Sequence, residues 1–403
     1  MIVCTLAGVV FIVQDIEWLT LQKWSAGIGK VRVETEDDYA DLDEDPRFET
    51  PDDEVDDGED DPNLVAPRSH SGPYDEYIPG VRYILYHPSG GFSNQRMEIE
   101  YAVEIGKLLN RTVYVPMCGR HTNGWAAYNA LKEGEDLFPM DRILDFPYIE
   151  TYDHRVRLAP LNMTVSRFAG RFQKRYGPES VLIIQAPREF YGKEDVIRWR
   201  QYKQPLIFFR GPGFYHPWFP QSTMDEVRKH VRFTKYLRDL SIKVSKAALG
   251  EKFYAMHIRM GDYAYRRHGD ASTYLGRARQ YKWKLKEIPT YVATEPNRDD
   301  KFFAPLDRNM KIVYSDKLPK EIFKEFQNAF PKGKMRNDML GLLEQLIAAQ
   351  AKSFIGTFFS TFSAYIMFIR EHKARLFPEL VDVDTTGDGS AGDALEQAAP
   401  PPS

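Results

Sequence analysis

Cysteine is nearly absent from the sequence, which has only Cys4 and Cys118 among 403 residues. These two cysteines form neither a disulfide framework nor the paired Cys-x-x-Cys pattern of a structural zinc site. Their scarcity is mild evidence against an oxidising compartment, although a chain of this length needs no disulfides to be stable. The sequence therefore excludes the small disulfide-rich proteins and predicts no cysteine metal site.

A long hydrophobic run is also absent. The most apolar segment, residues 2–13, has twelve residues, whereas a membrane-spanning helix needs about 18 to 20. No basic region precedes it, as a complete signal peptide would require. We expect residues 1–33 to hold a truncated membrane anchor or signal segment; a core strand and a misplaced start codon are the alternatives.

Two N-glycosylation sequons, at Asn110 and Asn162, favour the secretory pathway. Asn110 falls between a predicted helix and a predicted strand, so we expect at most one of the two to be reachable. Together with the apolar N-terminal segment, they lead us to expect a protein of the ER or Golgi lumen with a single N-terminal membrane anchor.

Negative charge is concentrated in one segment. Residues 34–61 carry a net charge of −16, residues 1–33 carry +1 and residues 379–403 carry −6, so that residues 62–378 carry +17 within an overall charge of −4. We expect residues 34–80 to be an acidic disordered stalk and residues 379–403 to be a disordered tail. The basic body suits an anionic ligand such as a nucleotide, a sugar nucleotide, an acidic polysaccharide or a nucleic acid.

Strand-like and helix-like segments alternate along the body, and no internal repeat is found. Strands are predicted at 81–87, 112–116, 181–187, 206–210, 253–259, 289–294, 311–316 and 353–356. Helices are predicted around 97–109, 223–248, 320–330, 338–351 and 361–371. The alternation predicts an α/β protein with parallel sheets. We expect two Rossmann-like domains, 81–250 and 251–378.

Polar or glycine residues follow each strand of the second half. In an open parallel sheet this edge binds the ligand. His257 and Arg259 leave the same face of their strand, and a guanidinium can hold a diphosphate through two hydrogen bonds. Ser360 or Thr361 is the predicted N-cap of a helix, whose first amides and dipole favour phosphate.

Other known motifs are missing. The glycine turn "PSGGFSNQR" at 88–96 is neither a Gly-x-Gly-x-x-Gly fingerprint nor a Walker loop, and the chain has no Gly-x-Ser-x-Gly elbow. The segment "YAYRRHGD" at 263–270 mixes aromatic and cationic residues, as single-stranded nucleic-acid sites do. A solvated loop over the ligand cleft is the more ordinary interpretation, and we expect no nucleic-acid partner.

Three segments, in this order, resemble the GDP-fucose protein O-fucosyltransferases and their O-fucosyltransferase-like relatives. They are "GGFSNQRMEIEYAVEIGKLLNRTVYVP" (90–116), "HIRMGDY" (257–263) and "SFIGTFFSTFSAYI" (353–366). The resemblance covers roughly residues 82–372, without a residue-by-residue match from about 120 to 250. It implies a GT-B-like fold, in which two Rossmann-like domains face each other across a cleft. It also implies inverting transfer of fucose from GDP-fucose, without a metal, to a hydroxyl of a protein or glycan.

The same resemblance implies the site residues. Arg259 would be the principal catalytic residue on the leaving diphosphate, and Asn94 would lie near the sugar. The residues implied to bind the nucleotide sugar are His257, Asp262, Gly91, Phe92, Glu344, Ser360, Thr361 and Phe362. Glu344 would accept hydrogen bonds from guanine.

One departure from the family pattern concerns the general base. Some members carry a Glu in the first glycine turn, where this chain has Ser89, Gly90 and Gly91. The proton of the acceptor would then go to water, Glu295 or Asp316, or a dissociative transition state would need little base; an inactive chain is a third alternative. Two other functions stay open at this point, transfer of rhamnose from a UDP donor and a sugar-nucleotide-fold binding module without catalysis.

Overall fold

The structure is a computed structural model, and it describes residues 2–6, 9–13, 78, 80–121, 128–133, 135–185, 193–210, 219–260, 271–295, 299–329, 334–357 and 360–380. The predicted stalk lies almost wholly outside these residues, as does nearly all of the predicted tail. The apolar N-terminal segment forms an antiparallel pair of strands, β1 (Ile2–Leu6) and β2 (Val9–Val13). Among the described helices, none has the length and hydrophobicity that crossing a bilayer requires.

The first half of the body is built on a five-stranded sheet with the order β7-β4-β3-β9-β8, in which every neighbouring pair is parallel. Its strands are β3 (Tyr83–Tyr86), β4 (Thr112–Val115), β7 (Leu158–Pro160), β8 (Val181–Gln185) and β9 (Leu206–Arg210). A two-stranded antiparallel pair, β5 (Cys118–Gly119) and β6 (Leu137–Phe138), lies between β4 and β7 in the chain. The central strand β3 is buried along its whole length, because helices cover both faces of a parallel sheet.

Six α-helices precede strand β10 (Tyr254–His257) within the residues that the structure describes. They are α1 (Phe92–Leu109), α2 (Phe146–Glu150), α3 (Val165–Tyr176), α4 (Lys193–Arg200), α5 (Gln221–Arg228) and α6 (Lys235–Leu249). Helix α1 ends at Asn110, which adopts the left-handed conformation with φ 51°. Asn110 and Asn162 are both exposed, so the expectation that only one sequon is reachable is wrong.

The predicted continuous helix at 223–248 is wrong, because the chain breaks between α5 and α6. The carbonyl of Val231 accepts a hydrogen bond from the Arg96 guanidinium at 2.5 Å, and the carbonyl of Arg232 accepts one from the Asp145 amide at 2.9 Å. Phe233 forms an antiparallel bridge with Leu144. Backbone groups that pair with distant partners cannot also pair along a helix.

The second half is built on a four-stranded parallel sheet with the order β12-β11-β10-β13. Its strands are β10 (Tyr254–His257), β11 (Thr290–Ala293), β12 (Ile312–Val313) and β13 (Ser353–Ile355). Its helices are α7 (Ser272–Gln280), α8 (Asp300–Asn309), α9 (Lys320–Ala329), α10 (Lys334–Gln350), α11 (Thr361–Glu371) and α12 (Lys373–Leu376). Helices α7 and α8 were not predicted; α8 contains Pro305, which argues locally against a helix.

Contacts through buried polar groups join the halves. The Gln345 amide donates to Ser93 Oγ at 3.0 Å, and the Arg96 guanidinium lies 4.4 Å from the centre of the Tyr365 ring. The predicted fold class is confirmed, since the chain is α/β and each half has its own parallel sheet. The domain boundaries assigned from the sequence stay predictions.

Candidate functional site

The carboxyl end of β10 presents His257 to the N-terminus of α11. The imidazole is buried, its Nδ1 lies 2.7 Å from Ser363 Oγ, and its ring centre lies 4.4 Å from that of Phe362. Burial lowers the pKa of His257 to about 3, and the charge of Arg259 acts in the same direction. His257 is therefore neutral at physiological pH, so any hydrogen bond that it gives to a ligand comes from an uncharged imidazole.

Thr357 fixes the backbone that carries Arg259. Its hydroxyl donates to the His257 carbonyl at 2.9 Å and accepts from the Arg259 amide at 2.9 Å. The Tyr274 hydroxyl lies 3.0 Å from the same oxygen. The Arg259 side chain, which is half-buried, thus starts from a peptide that β13, β10 and α7 hold together. A guanidinium whose backbone is held in place is suited to bind an anionic group at a defined position.

Ser360 is the N-cap of α11 and Thr361 its first residue, as the sequence predicts. Ser360 is 3% exposed, and its hydroxyl makes no hydrogen bond to any residue that the structure describes, the amides of its own helix included. The first amides of a helix and its dipole attract anions. A buried hydroxyl at this position adds a donor that no described residue uses.

Gly356 permits close packing beneath this cap. A Cβ at this position would lie 2.7 Å from Ser363 Oγ, the atom that contacts His257. From the sequence, Gly356 is predicted only as a strand end, whereas in the structure its lack of a side chain leaves room for Ser363. Glycine is the residue that allows the strand and the helix to approach this closely.

The glycine turn of the first half reaches the same helix N-terminus. Gly90 has φ +69°, and a Cβ there would lie 2.6 Å from Asn94 Nδ2, so glycine makes room for the Asn94 side chain. Asn94 Oδ1 accepts from Thr361 Oγ1 at 3.4 Å, which joins segments 267 residues apart. Gly91 caps α1 in extended conformation with open space beside it, and Phe92 packs against Phe233 beneath the turn.

A hydrogen-bonded pair of side chains, not predicted from the sequence, joins the turn to α1. Ser89 Oγ donates to Glu98 Oε1 at 2.8 Å, and the Ser89 amide donates to Glu98 Oε2 at 3.1 Å. Glu98 has no exposed surface, and burial raises its pKa well above the ordinary value, although both hydrogen bonds act in the opposite direction. The available signal was an acidic residue at a position of α1 that faces the protein interior.

The other acidic candidates lie in different surroundings. Glu344 is 6% exposed, accepts from the Tyr291 hydroxyl at 2.9 Å, and has its pKa raised by burial to about 8. Both carboxylate oxygens of Glu295 accept from the Met260 amide, at 3.0 and 2.8 Å, so this carboxylate holds the loop after Arg259. Asp316 is exposed.

Asp262 lies outside the described residues, as does the rest of the segment 261–270. The remaining predicted site residues are described, and the structure brings those of the glycine turn, β10 and α11 together. Glu344 lies on α10, next to Gln345, which contacts the glycine-turn helix through Ser93. Across the described ranges, no group of three or more His, Cys, Asp or Glu side chains is arranged to hold a metal ion.

A model of the family described as GDP-fucose protein O-fucosyltransferase matches residues 83–373. Among solved structures, POFUT1 in complex with GDP is similar at 13% identity and a TM-score of 0.48, covering 75% of this chain and 97% of that one. Arabidopsis thaliana FUT1 in complex with GDP has 12% identity and a TM-score of 0.43, covering 74% and 70%. The fucosyltransferase NodZ from Bradyrhizobium has 9% identity and a TM-score of 0.38, covering 71% and 92%. A search of curated proteins found no match.

Proposed function

The chain belongs to the GDP-fucose protein O-fucosyltransferase family and is a glycosyltransferase that uses GDP-fucose, and on this premise we propose that it transfers fucose, with inversion, to a hydroxyl of a protein or glycan acceptor. One observation supports the proposal most: three segments that are far apart in the chain meet at the N-terminus of α11. The glycine turn contributes Asn94, β10 contributes His257 and Arg259, and α11 contributes Ser360 and Thr361.

The chemistry of this place suits a departing nucleoside diphosphate. As the bond to the sugar breaks, negative charge grows on the β-phosphate oxygen. Arg259 supplies the positive charge, and the amides of α11 together with Ser360 Oγ supply donors that need no rearrangement. His257, being neutral, donates a hydrogen bond and adds no charge. We propose that these groups stabilise the leaving GDP without a metal ion.

Guanine recognition is assigned to Glu344. Its carboxylate can accept from the N1 and N2 donors of guanine, whereas uracil offers a single donor. Tyr291 already donates to one oxygen and orients the group. Because burial raises the pKa of Glu344 to about 8, binding of guanine donors should lower it and be weaker when the carboxyl is protonated.

The test of this proposal is calorimetric titration of the full chain with GDP, GDP-fucose and UDP at two salt concentrations. Binding of GDP and GDP-fucose with no UDP binding supports fucose transfer. Preferential UDP binding would favour a rhamnosyl donor, and the absence of nucleotide binding would make the chain a non-catalytic relative. Glu344→Gln should lose the preference for GDP over UDP, whereas Glu287→Gln, at an exposed position just before β11, serves as the matched control.

We also propose a secretory location, supported by the two exposed sequon residues, Asn110 and Asn162. Expression in a secreting eukaryotic cell should yield a protein whose apparent mass falls on treatment with an N-glycosidase. Asn110→Gln and Asn162→Gln should each remove one step of that shift. A protein without glycans would contradict this location.

A further inference from the structure

The acceptor hydroxyl must lose a proton when the new glycosidic bond forms, and the glycine turn has Ser89, Gly90 and Gly91 where some family members carry a glutamate. Two other carboxylates were considered as the base. Both oxygens of Glu295 already accept from the Met260 amide, and Asp316 is exposed. The structure contains another carboxylate at the same turn. Glu98 lies on α1, less than three helical turns after Ser89, and points back to it.

The arrangement of this pair is directional. The Ser89 amide holds Glu98 Oε2 at 3.1 Å, which fixes the carboxylate plane. Ser89 Oγ directs its proton to Glu98 Oε1 at 2.8 Å. The hydroxyl oxygen can then accept a hydrogen bond from another group. Glu98 has no exposed surface and Ser89 retains 6%, so Ser89 is the member of the pair nearer to the surface.

We propose that Ser89 and Glu98 form a proton relay that deprotonates the acceptor hydroxyl. The proposal rests on the proposed function. As the acceptor oxygen bonds to C1 of fucose, its proton passes to Ser89 Oγ, and the Ser89 proton passes to Glu98 Oε1, giving a carboxylic acid. The bond between C1 and the β-phosphate oxygen breaks, and its electron pair leaves with GDP. After product release the proton returns through Ser89 to solvent.

The location of Ser89 fits this role. It precedes Gly90, whose positive φ opens space for Asn94, and Asn94 contacts Thr361 at the N-terminus of α11. The contacts of Gly90 and Asn94 therefore connect the pair to the proposed diphosphate site. An inverting transfer needs its base on the face of the sugar away from the leaving group, so the relay requires Ser89 to lie on that face of the bound donor.

The groups around Glu98 leave it as the titrating member. Its charge acts on Tyr86, at the end of β3, and on Tyr128. Burial raises the pKa of both phenols well above 10, so they stay neutral in the working range. No cation acts on Glu98 among the described residues, and its surroundings are Ser89 and apolar burial. The carboxyl thus has a high proton affinity, which suits a base that works through a hydroxyl.

The decisive variant is Glu98→Gln, because a glutamine can accept from the Ser89 amide and donate to Ser89 Oγ. It preserves both contacts but cannot take a proton. With GDP-fucose as probe and water as acceptor, GDP release should fall about 100-fold in kcat. The Kd of GDP should stay within about twofold. The wild-type rate should rise with pH through the Glu98 titration, and this rise should disappear in the variant.

Ser89→Ala should show the same loss of kcat, and Ser89→Thr should retain most of the activity. The matched control Ser180→Ala removes a buried hydroxyl that bonds to the Gly177 carbonyl, and it should leave kcat unchanged. Retention by Glu98→Gln of kcat within about threefold, with an unchanged pH profile, would overturn the relay. Loss of GDP binding in both Glu98→Gln and Ser89→Ala would identify a structural clamp and would also overturn it. Failure of the wild type to bind GDP would instead refute the proposed function.

Discussion

The two helices that meet at Asn94, α11 and α1, have opposite charge environments. On the α11 side, the structure presents Arg259, a neutral His257 and the cap hydroxyl of Ser360, which together suit an anionic ligand. On the α1 side, acidic groups are buried: Glu98 pairs with Ser89, and Glu100 pairs with arginines. In the proposed mechanism, the α11 side stabilises the departing negative charge and the Ser89–Glu98 pair on the α1 side takes the proton of the acceptor.

The largest expected effect on stability concerns the buried ion cluster on the α1 side. Glu100 Oε2 lies 3.0 Å from Arg228 Nε, and Glu100 Oε1 lies 3.4 Å from Arg96 Nε, with all three side chains buried. Glu100→Ala leaves the buried Arg96 without its carboxylate partner and Arg228 with Asp225 alone, and should lower the free energy of unfolding by about 3 to 5 kcal/mol. Chemical denaturation measures this. As a control, Glu226→Ala removes an exposed carboxylate that pairs with Arg375 and should lower the free energy of unfolding by less than about 1 kcal/mol. Equal losses in the two variants would contradict the argument from burial.

Next in size is Ser360→Ala, which probes the α11 side without touching the fold. Its hydroxyl has no hydrogen-bond partner among the described residues, so the variant should unfold like the wild type. If the hydroxyl donates to a phosphate, GDP binding should weaken by about 1.5 to 3 kcal/mol. Calorimetry checks both statements. A variant with unchanged GDP affinity would remove Ser360 from the site.

How much of this comparison the sequence predicts depends on the range of the interactions. The eight predicted strands, the glycine turn and Ser360 as helix cap follow from local pattern, because alternation and capping preferences act within a few residues. The short strands β5, β6 and β7 were not predicted. The break between α5 and α6 does not, since Arg96 and Asp145 pair with its backbone from more than 80 residues away. Glu98 was missed for a related reason: a helix pattern shows which positions are buried, but not which buried carboxylate meets a serine.

A smaller effect follows from the neutral histidine. His257 has a folded pKa of about 3 and an unfolded value near 6.5. Between these pH values the unfolded chain binds a proton on His257 that the folded chain does not bind. The contribution of His257 to the free energy of unfolding therefore falls as pH decreases below about 6.5. The loss should be about 1 kcal/mol on going from pH 7 to pH 5.5. Denaturation of wild type and His257→Asn at both pH values measures it, and equal pH dependence in the two proteins would contradict a buried neutral imidazole.

Glu344 should act on stability in the opposite direction. Its folded pKa of about 8 exceeds its unfolded value near 4.5, so the folded chain binds the extra proton between them. The contribution of the protonated carboxyl is fully present below about pH 4.5 and is lost as pH rises through 8. Glu344→Gln should therefore lose less stability than the wild type between pH 5 and pH 8. A steeper loss in the variant would show that Glu344 is ionised in the folded protein.

The central claim, that Arg259 stabilises the leaving diphosphate, is tested most directly by the rate of GDP release from GDP-fucose. Arg259→Ala should lower kcat by about 100-fold or more, the cost of removing one preorganised group at developing charge, while the melting temperature stays that of the wild type. The matched control Arg198→Ala removes an exposed arginine on α4 and should leave kcat unchanged. An Arg259→Ala enzyme that releases GDP at the wild-type rate would contradict the account.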